Sequence, residues 1–265
     1  MNYQIIERCN LNCSHCNFFS SLVSKDIKPK SMEQITADLT LLSKYKEYIM
    51  DLSLVGGEAF LHPLLGDIII LARKLFPNNK VSITTNGTLV EKIRELKDVI
   101  LDNNIVLNVT IYPFKEDVWE NFWKIREIIP DAHSWVMPVE KGFSTKLLCN
   151  ERQEFDENLI KSCFKRTYCN QLKNGKLWIC HYAAYLNRLK EAFPNDVINI
   201  EQDDKCYIDL NNDELTGEDI LEWQRSTMPE ICYHCLDLKY GYYYGPTEKW
   251  KTTDKQLSEW VAETD

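Results

Sequence analysis

The sequence has no apolar run long enough to cross a membrane. The nearest stretch, residues 64–71, is interrupted by Gly66 and Asp67, and a transmembrane helix needs about 20 mainly apolar residues. The sequence also has no basic excess, because its formal net charge is -9. General binding to nucleic acid or to an anionic membrane depends on such an excess, so we expect neither as a partner.

No secretory signal is present at the start of the sequence. Residues 1–8 contain no basic region followed by an apolar region. The sequence therefore predicts a cytoplasmic protein, in which ten cysteines indicate metal or cluster ligation and not disulfides. The remaining composition, 44% hydrophobic and 27% charged, is that of a globular protein.

Three cysteines lie close together near the N-terminus. Cys9, Cys13 and Cys16 have the spacing C-x3-C-x2-C. Three thiolates on one short loop can bind three irons of a [4Fe-4S] cluster and leave the fourth iron open to a substrate or cofactor. A structural zinc site is the alternative, but zinc sites usually have a second C-x2-C pair nearby, and none follows before Cys232.

Strands and helices alternate over the first half of the sequence. The strands are predicted at residues 3–7, 48–55, 80–85, 105–112, 133–139 and 143–149. Helices are predicted from Ser31 onward, with Gln34 completing a capping box, and at residues 64–76, 89–101 and 116–129. Such alternation is typical of βαβ units and predicts an α/β fold with a parallel sheet or barrel.

The second half of the sequence has a different pattern. Asn174-Gly175 predicts a β-hairpin over residues 168–180, in which Cys169 faces Cys180. Helices are predicted at residues 154–161, after the capping residues Thr216 and Asp219, and in a closing segment at residues 252–261.

This half also contains a second group of cysteines, with one more member than a four-ligand site needs. The group consists of Cys163, Cys169, Cys180, Cys232 and Cys235. A structural zinc is possible, and a second [4Fe-4S] cluster is favoured because a three-cysteine loop is already present upstream. Cys149 and Cys206 lie outside these spacings, and a buried cysteine commonly behaves as a small hydrophobic residue.

The chain resembles the radical S-adenosylmethionine (radical SAM) enzymes. The resemblance rests on the first cysteine loop, on Gly56-Gly57-Glu58 after the second predicted strand, and on Thr84-Thr85-Asn86-Gly87 after the third. It implies a partial (β/α)6 TIM-like barrel in which Cys9, Cys13 and Cys16 hold the catalytic cluster and the open iron takes the amino and carboxylate groups of SAM. By the same resemblance Gly56, Gly57 and Glu58 would contact the methionine amine, and Thr85 and Asn86 the ribose or carboxylate.

The C-terminal half resembles the Twitch domain, a short relative of the SPASM domain that holds one auxiliary [4Fe-4S] cluster. The resemblance rests on the glycine-x4-cysteine hairpin from Gly175 to Cys180. It implies a barrel domain over residues 1–150 and an auxiliary-cluster domain over residues 151–265. The implied ligands are Cys180, Cys232, Cys235 and either Cys163, which the spacing favours, or Cys169, which the hairpin geometry favours.

This resemblance implies an oxidoreductase or epimerase. Such an enzyme would form a 5'-deoxyadenosyl radical and take a hydrogen atom from a small polyol, aminocyclitol or sugar-like substrate, with the auxiliary cluster as electron acceptor and flavodoxin or ferredoxin as reductant. The alternatives are a peptide-modifying radical SAM enzyme, although no leader-binding segment is expected before Cys9, and a non-catalytic carrier with two clusters.

Catalytic side chains are less defined by the sequence. Tyr112 and His133 flank predicted strand ends, and Cys149 or Cys206 would be the hydrogen donor of an epimerase. Each is also consistent with simple packing. The aromatic residues within 240–244 would line a substrate mouth or pack on the hairpin.

Overall fold

The computed structural model describes residues 1–112, 117–136, 143–144, 147–240, 247–248 and 251–263. The chain forms two compact units, of which unit 1 comprises residues 1–10 and 25–140 and unit 2 comprises residues 11–24 and 141–265. None of the helices in the described part of the chain has the length and apolar character that a bilayer crossing requires.

Unit 1 is an alternation of strands and helices. Its elements are β1 (Asn2–Ile6), α1 (Met32–Ser43), β2 (Asp51–Gly56), α2 (Leu65–Leu75), β3 (Lys80–Thr85), α3 (Val90–Glu95), α4 (Lys97–Asp102), β4 (Val106–Ile111), α5 (Val118–Ile128) and β5 (His133–Val136). The strands are parallel and lie in the order β1-β2-β3-β4-β5. The α/β expectation is therefore confirmed for this unit.

The sheet of unit 1 is buried along its central strands. Leu52 and Leu54 of β2, Ile83 of β3, and Leu107 and Val109 of β4 are fully buried. Near-continuous apolar strands are typical of parallel sheets that helices cover on both faces. The apolar content of these strands thus determines which segments form the centre of the unit.

Local sequence signals place several helix boundaries of unit 1. Ser31 and Gln34 form the predicted capping box at the start of α1. The prediction of one helix over residues 89–101 is wrong, because Leu96, with ψ near 8°, lies between the separate helices α3 and α4. Apolar periodicity continues through Leu96, so it did not reveal this break.

Unit 2 consists of short elements. They are β6 (Phe143–Ser144), β7 (Leu148–Cys149), α6 (Glu157–Lys161), α7 (Phe164–Tyr168), β8 (Gln171–Lys173), β9 (Lys176–Trp178), α8 (His181–Ala192), β10 (Tyr207–Asp209), α9 (Gly217–Ser226), α10 (Leu236–Tyr240), β11 (Thr247–Glu248) and β12 (Val261–Ala262). β9 pairs antiparallel with β8 and with β10, β6 pairs antiparallel with β11, and β7 pairs parallel with β12.

The predicted hairpin of unit 2 is confirmed. β8 and β9 join through Asn174 and Gly175, whose φ angles are 53° and 70°. Two successive positive φ angles define the two-residue turn that Asn-Gly favours. The strand pairing ends at Gln171 and Trp178, however, so it does not extend to the cysteines.

Two predicted elements of unit 2 differ from the structure. The predicted strand 143–149 is two short strands, β6 and β7, which pair with different partners. The predicted closing helix at residues 252–261 is wrong, since this segment contains one turn of 3-10 helix, Leu257–Glu259, followed by β12. The physical reason is that Glu259 accepts hydrogen bonds from the backbone amides of Asp254 and Gln256, which holds a loop in place of an α-helix.

Candidate functional site

Three predicted motifs of unit 1 lie at one edge of its sheet. Cys9 follows β1, Gly56 ends β2, and Asn86 follows β3. Because these strands are adjacent and parallel, their carboxyl ends lie side by side. Ligands of α/β folds bind at this edge, so the sheet brings the motifs to the position where the chemistry is expected.

Gly57 packs directly against the backbone that leads to Cys9. A Cβ at this position would lie 2.4 Å from the carbonyl carbon and oxygen of Arg8 and 2.7 Å from the amide nitrogen of Cys9. The Gly57 amide donates to Ile6 O at 2.9 Å, and the Glu58 amide donates to Arg8 O at 3.1 Å. Only glycine permits this approach, so the turn after β2 supports the segment after β1.

Glu58 connects the turns that follow β2 and β3. Its side chain is 1% exposed. Its Oε1 accepts hydrogen bonds from the Phe60 amide at 3.1 Å and the Thr85 hydroxyl at 2.8 Å, and its Oε2 accepts one from the Asn86 amide at 2.8 Å. Burial raises the pKa of the Glu58 carboxyl, and the three hydrogen bonds act in the opposite direction. These contacts make the carboxylate a structural link between the two turns.

Asn86 completes the connection to the first cysteine. Its Nδ2 donates to Asn10 Oδ1 at 2.9 Å and lies 3.7 Å from the Cys9 sulfur. Its Oδ1 accepts from the amide of Thr88 at 3.0 Å, which fixes the orientation of the amide group. Glu58, Asn86 and Cys9 are therefore held in one network within unit 1.

Cys13 and Cys16 belong to unit 2, where the C-terminal segment holds their loop. We call residues 251–262 the C-terminal strap. The Trp260 indole Nε1 donates to Cys16 O at 3.1 Å, and Trp260 is fully buried. The Ser14 amide donates to Lys251 O at 3.0 Å, and the Thr253 amide donates to Asn12 O at 2.9 Å.

The residue between Ser14 and Cys16 also contacts the strap. His15 has a left-handed backbone conformation with φ 54°, and its Nδ1 forms a hydrogen bond with the backbone oxygen of Glu259. Such a conformation is uncommon outside glycine and persists when surrounding contacts hold it. The strap provides those contacts for the loop that carries Cys13 and Cys16.

The residues after Cys16 pack on the first turns of α8. The ring of Phe18 stacks on His181 with centroids 5.5 Å apart, and the ring of Phe19 lies 6.3 Å from that of Tyr182. Arg188 Nη1 donates to Phe18 O at 2.8 Å. The two phenylalanines thus pack on a helix that starts directly after Cys180.

Four of the five cysteines of the second group line one cavity in unit 2. They are Cys163, which precedes α7, Cys180, which precedes α8, and Cys232 and Cys235, which lie at the one-turn helix before α10. Cys169 follows α7 and does not line this cavity. Within the described residues, no group of three or more His, Cys, Asp or Glu side chains is arranged to hold a single metal ion.

Two cationic side chains line the same cavity. Lys165 is 3% exposed and forms an ion pair with Asp237, and its Nζ donates to the Tyr182 hydroxyl at 2.9 Å. Arg166 is 2% exposed and donates from Nη2 to Gln224 O at 2.7 Å. Neither cation was predicted from the sequence, although an adjacent Lys-Arg pair between Cys163 and Cys169 was a visible signal.

Burial opposes ionisation of the thiols in this cavity. It raises the pKa of Cys180 to about 11 and the pKa values of Cys232 and Cys235 well above the ordinary thiol range. The charge of Lys165 favours the thiolates of Cys180 and Cys235, and that of Arg166 favours the thiolate of Cys232. The four thiols are the ligand set of a [4Fe-4S] cluster with four cysteine ligands, and the two cations favour their ionised form.

The proposed hydrogen donors are not among the residues that line the cavity of the four thiols. Cys206 is fully buried, its sulfur lies 3.2 Å from Asp203 Oδ1, and burial is the main factor that raises its pKa far above the thiol range. Cys149 is fully buried in a small apolar cluster with Leu236 and Ala262. Both placements suit packing residues better than groups that meet a substrate.

The remaining candidates have different positions in the fold. Tyr112 follows β4 at the carboxyl edge of the unit 1 sheet and is half-buried. His133 is exposed and begins β5, which places it at the opposite edge. Most of the aromatic run at 240–244 lies outside the described residues.

Comparisons with known proteins agree with these motifs. The family model of the Radical SAM superfamily matches residues 3–135, which is half of the chain. A computed fold comparison matches the crystal structure of BtrN in complex with AdoMet and 2-DOIA, with a TM-score of 0.54 at 14% identity over 88% of this chain and 91% of that one. The similarity shows the shared fold and, with the parallel strands of unit 1, confirms a partial TIM-like barrel.

Two curated proteins are related in sequence. The antilisterial bacteriocin subtilosin biosynthesis protein AlbA of Bacillus subtilis is 29% identical over 122 residues, which is 45% of this chain and 25% of AlbA. The GTP 3',8-cyclase of Limosilactobacillus fermentum is 30% identical over 123 residues, which is 44% of this chain and 34% of that enzyme. The matches thus span only a quarter to a third of these relatives.

Proposed function

This chain belongs to the radical SAM superfamily, and we propose that it uses SAM to abstract a hydrogen atom from a small hydroxylated substrate. The catalytic [4Fe-4S] cluster would be held by Cys9, Cys13 and Cys16, the only C-x3-C-x2-C spacing in the sequence. When bound and reduced, this cluster supplies the electron that splits SAM into methionine and a 5'-deoxyadenosyl radical. The observation that carries the proposal is the network of Cys9, Glu58 and Asn86 at the carboxyl edge of a parallel sheet.

We assign the turns after β2 and β3 to SAM binding. Gly56 and Gly57 bring this turn into close contact with the segment of β1 and Cys9, because a Cβ at either position would collide with Ile6 or with the backbone of Arg8 and Cys9. Glu58 holds the turn that contains Thr85 and Asn86, so the methionine side and the ribose side of the cofactor would be bound by connected segments.

We assign the second [4Fe-4S] cluster to the cavity of unit 2, with Cys163, Cys180, Cys232 and Cys235 as ligands. The lining of the cavity favours Cys163 over Cys169. Four thiolates would fill all four ligand positions, which suits electron transfer better than direct substrate binding. The second cluster and the Twitch-like assignment of residues 151–265 are parts of one proposal.

The reaction class follows from this ligand set. A second cluster held by Cys163, Cys180, Cys232 and Cys235 would supply an acceptor for one electron. A secondary alcohol that gave one hydrogen atom to the 5'-deoxyadenosyl radical, then one proton to solvent and one electron to this acceptor, would become a ketone, and the net reaction would be a two-electron oxidation. A flavodoxin or ferredoxin would return electrons to the catalytic cluster.

The substrate class is a polyol, aminocyclitol or sugar-like molecule. In support, the BtrN structure with the same fold contains AdoMet and 2-DOIA. The second candidate is modification of a peptide, which is favoured by the sequence similarity to AlbA, a protein of bacteriocin biosynthesis.

An anaerobic assay for 5'-deoxyadenosine tests the enzymatic proposal. The reconstituted chain with SAM and a reductant should release 5'-deoxyadenosine, and the variant with Cys9, Cys13 and Cys16 replaced by alanine should release none. Trp123→Ala, which alters a 58% exposed side chain of α5, serves as the control variant and should retain the activity. Absence of the product from the reconstituted parent chain would contradict the proposal.

Deuterium transfer distinguishes the two substrate classes. Polyols or aminocyclitols with deuterium on the reacting carbon should pass the label to 5'-deoxyadenosine. Deuterium-labelled peptides should not transfer their label. If only a peptide transferred deuterium to 5'-deoxyadenosine, the substrate would be a peptide and not a small hydroxylated molecule.

Iron analysis tests the ligands of the second cluster. In the variant that lacks Cys9, Cys13 and Cys16 we expect about four irons per chain, as for one [4Fe-4S] cluster. Addition of Cys163→Ala should remove most of this iron, and addition of Cys169→Ala should not. If Cys169→Ala removed the iron and Cys163→Ala did not, Cys169 would be the fourth ligand in place of Cys163.

A further inference from the structure

Within the described part of the chain, the guanidinium of Arg166 has hydrogen-bond partners on one side and none on the other. Its Nε and Nη2 both donate to the backbone oxygen of Gln224 in α9, at 3.2 and 2.7 Å. Its Nη1 is buried and has no hydrogen-bond partner among the described residues. A buried donor without a partner loses its hydration with no compensation, so this atom requires an explanation.

Among the described residues, the charge of Arg166 is also not neutralised by a carboxylate. Lys165, the other cation of the cavity, pairs with Asp237. In the described part of the chain no carboxylate forms an ion pair with Arg166. Arg166 lines the cavity of the four thiols, and its charge acts on Cys232.

The position of Arg166 is fixed by its neighbours. Asn170 Nδ2 donates to the backbone oxygen of Arg166 at 2.9 Å and to that of Ile179 at 2.8 Å. This places the end of α7 beside the residue that precedes Cys180. The guanidinium is therefore held on a rigid support at the thiol cavity.

We propose that Arg166 Nη1 donates a hydrogen bond to a sulfur atom of the second [4Fe-4S] cluster and thereby stabilises its reduced form. This inference rests on the proposed function, since it requires a cluster in this cavity. Hydrogen bonds to cluster sulfurs and nearby positive charge raise the reduction potential of iron–sulfur clusters. In the proposed reaction the substrate radical loses one electron and one proton, the proton goes to solvent, and the cluster gains the electron. Arg166 favours that transfer by stabilising the added negative charge.

The test uses the variant with Cys9, Cys13 and Cys16 replaced by alanine, so that only the second cluster is present. Its midpoint potential is measured by a redox titration followed by electron paramagnetic resonance, with and without Arg166→Met. We expect Arg166→Met to decrease the equilibrium constant for one-electron reduction about tenfold, which is a shift of about 59 mV to lower potential. Arg166→Lys should retain part of the effect because it keeps the charge.

Lys161→Met is the matched control. Lys161 carries the same charge two residues before Cys163, but it is exposed and pairs with Glu157 at 3.2 Å. Loss of this charge should leave the midpoint potential unchanged, because solvent screens it. If Lys161→Met and Arg166→Met lowered the midpoint potential equally, the effect would come from the net charge of the chain. The proposed hydrogen bond from Arg166 would then be wrong.

A second measurement keeps Arg166 in place and does not depend on how its variants fold. In the same cysteine variant labelled with ¹⁵N-arginine, pulsed electron paramagnetic resonance of the reduced cluster should detect a coupled ¹⁵N nucleus, which Arg166→Lys should abolish. A cluster with no such coupling, or with an unchanged potential in Arg166→Met, overturns the inference. A cysteine variant that binds no iron instead refutes the second cluster itself and thus the proposed function.

Discussion

Gly57 illustrates how much a single residue contributes to the first site. Its α-carbon lies so close to the backbone of Arg8 and Cys9 that a methyl group has no room. The three atoms that a Cβ would meet belong to the backbone, which moves only together with the segment that carries Cys9. The size of a side chain at this position therefore acts directly on the backbone of Cys9, a proposed cluster ligand.

Gly57→Ala should destabilise the apo chain by about 1–3 kcal/mol, the usual cost of inserting a methylene into a packed site. The measurement is urea unfolding followed by circular dichroism. Gly66→Ala is the control, because a Cβ at Gly66 in α2 meets only the Leu96 side chain at 3.3 Å. Alanine in a helix is favourable, so this control should lose no stability, and an equal loss in both variants would contradict the argument.

Thr85→Val tests the link between the turns after β2 and β3. The change removes the hydroxyl that donates to Glu58 at 2.8 Å and accepts from the Gly87 amide at 3.2 Å. We expect the free energy of unfolding, measured by urea unfolding, to fall by about 1–3 kcal/mol, because the Glu58 carboxyl and the Gly87 amide each lose a buried hydrogen-bond partner. Thr110→Val, at a half-buried position of β4, should change the stability by no more than about 0.5 kcal/mol.

The loss of stability in Thr85→Val should depend on pH. Burial already raises the pKa of Glu58, and the hydrogen bond from Thr85 lowers it. Loss of that bond should raise the pKa further, which penalises the ionised carboxylate. The difference in unfolding free energy between the two chains should therefore increase as the pH rises through the folded pKa of Glu58, and a pH-independent difference would contradict this assignment.

At the scale of elements, the C-terminal strap is the support of the first cysteine loop in unit 2. It reaches the loop through backbone hydrogen bonds of Ser14 and Thr253 and through the indole of Trp260. Its own shape depends on Glu259, whose Oε1 accepts bonds from the Thr253 hydroxyl and two backbone amides. The strap is thus a folded loop in which side chains replace regular secondary structure.

Trp260→Ala should destabilise the apo chain by about 3–5 kcal/mol, since a fully buried indole is removed and a cavity remains. Urea unfolding measures the loss. Trp123→Ala removes the same group from a position on α5 that is 58% exposed and should cost no more than about 0.5 kcal/mol. If the two variants lost the same stability, the strap would have no special structural role.

At the scale of the whole molecule, the proposed second cluster would connect separate segments of unit 2. Its four thiols come from the start of α7, the start of α8 and the turn before α10. Metal binding to ligands from distant segments adds its free energy to the folding of the unit that contains them.

Loading of the second cluster should increase the hydrogen-exchange protection of these three segments at least tenfold, which corresponds to about 1.4 kcal/mol. The measurement compares the loaded and apo forms of the variant without Cys9, Cys13 and Cys16 by mass spectrometry. Strands β2 to β4 of unit 1 are the internal control and should not change. An equal gain in both units would show that the effect is not specific to the cavity.

Much of the fold could be predicted from local patterns. Strands β1 to β3 of unit 1 are largely buried on both faces and β4 alternates buried and half-buried residues, so hydrophobic patterns locate them. The Asn174-Gly175 turn was predictable because few residues accept two positive φ angles in succession. The helix α8 was not predicted, because residues up to Cys180 were assigned to the hairpin and the segment after it was not assigned. Its helical spacing is nevertheless visible in Tyr182, Tyr185, Leu186 and Leu189.

The ligand set was only partly predictable for a similar reason. Counting outward from the hairpin turn placed Cys169 opposite Cys180, which assumes that the strand pairing continues. In the structure the pairing ends at Gln171 and Trp178, and Cys180 instead begins α8. A register is reliable only as far as the ladder extends, and its end depends on tertiary contacts.

The sequence by itself determined the motifs, since cysteine spacing, turn glycines and apolar strands are local properties of the chain. It also determined the family, because these motifs occur in a fixed order along βαβ units. Only the tertiary structure brought Cys163 and Arg166 into a cavity with three thiols from distant segments and left one buried nitrogen of Arg166 without a partner among the described residues. Such placements depend on the packing of remote elements, and no short-range pattern encodes that packing.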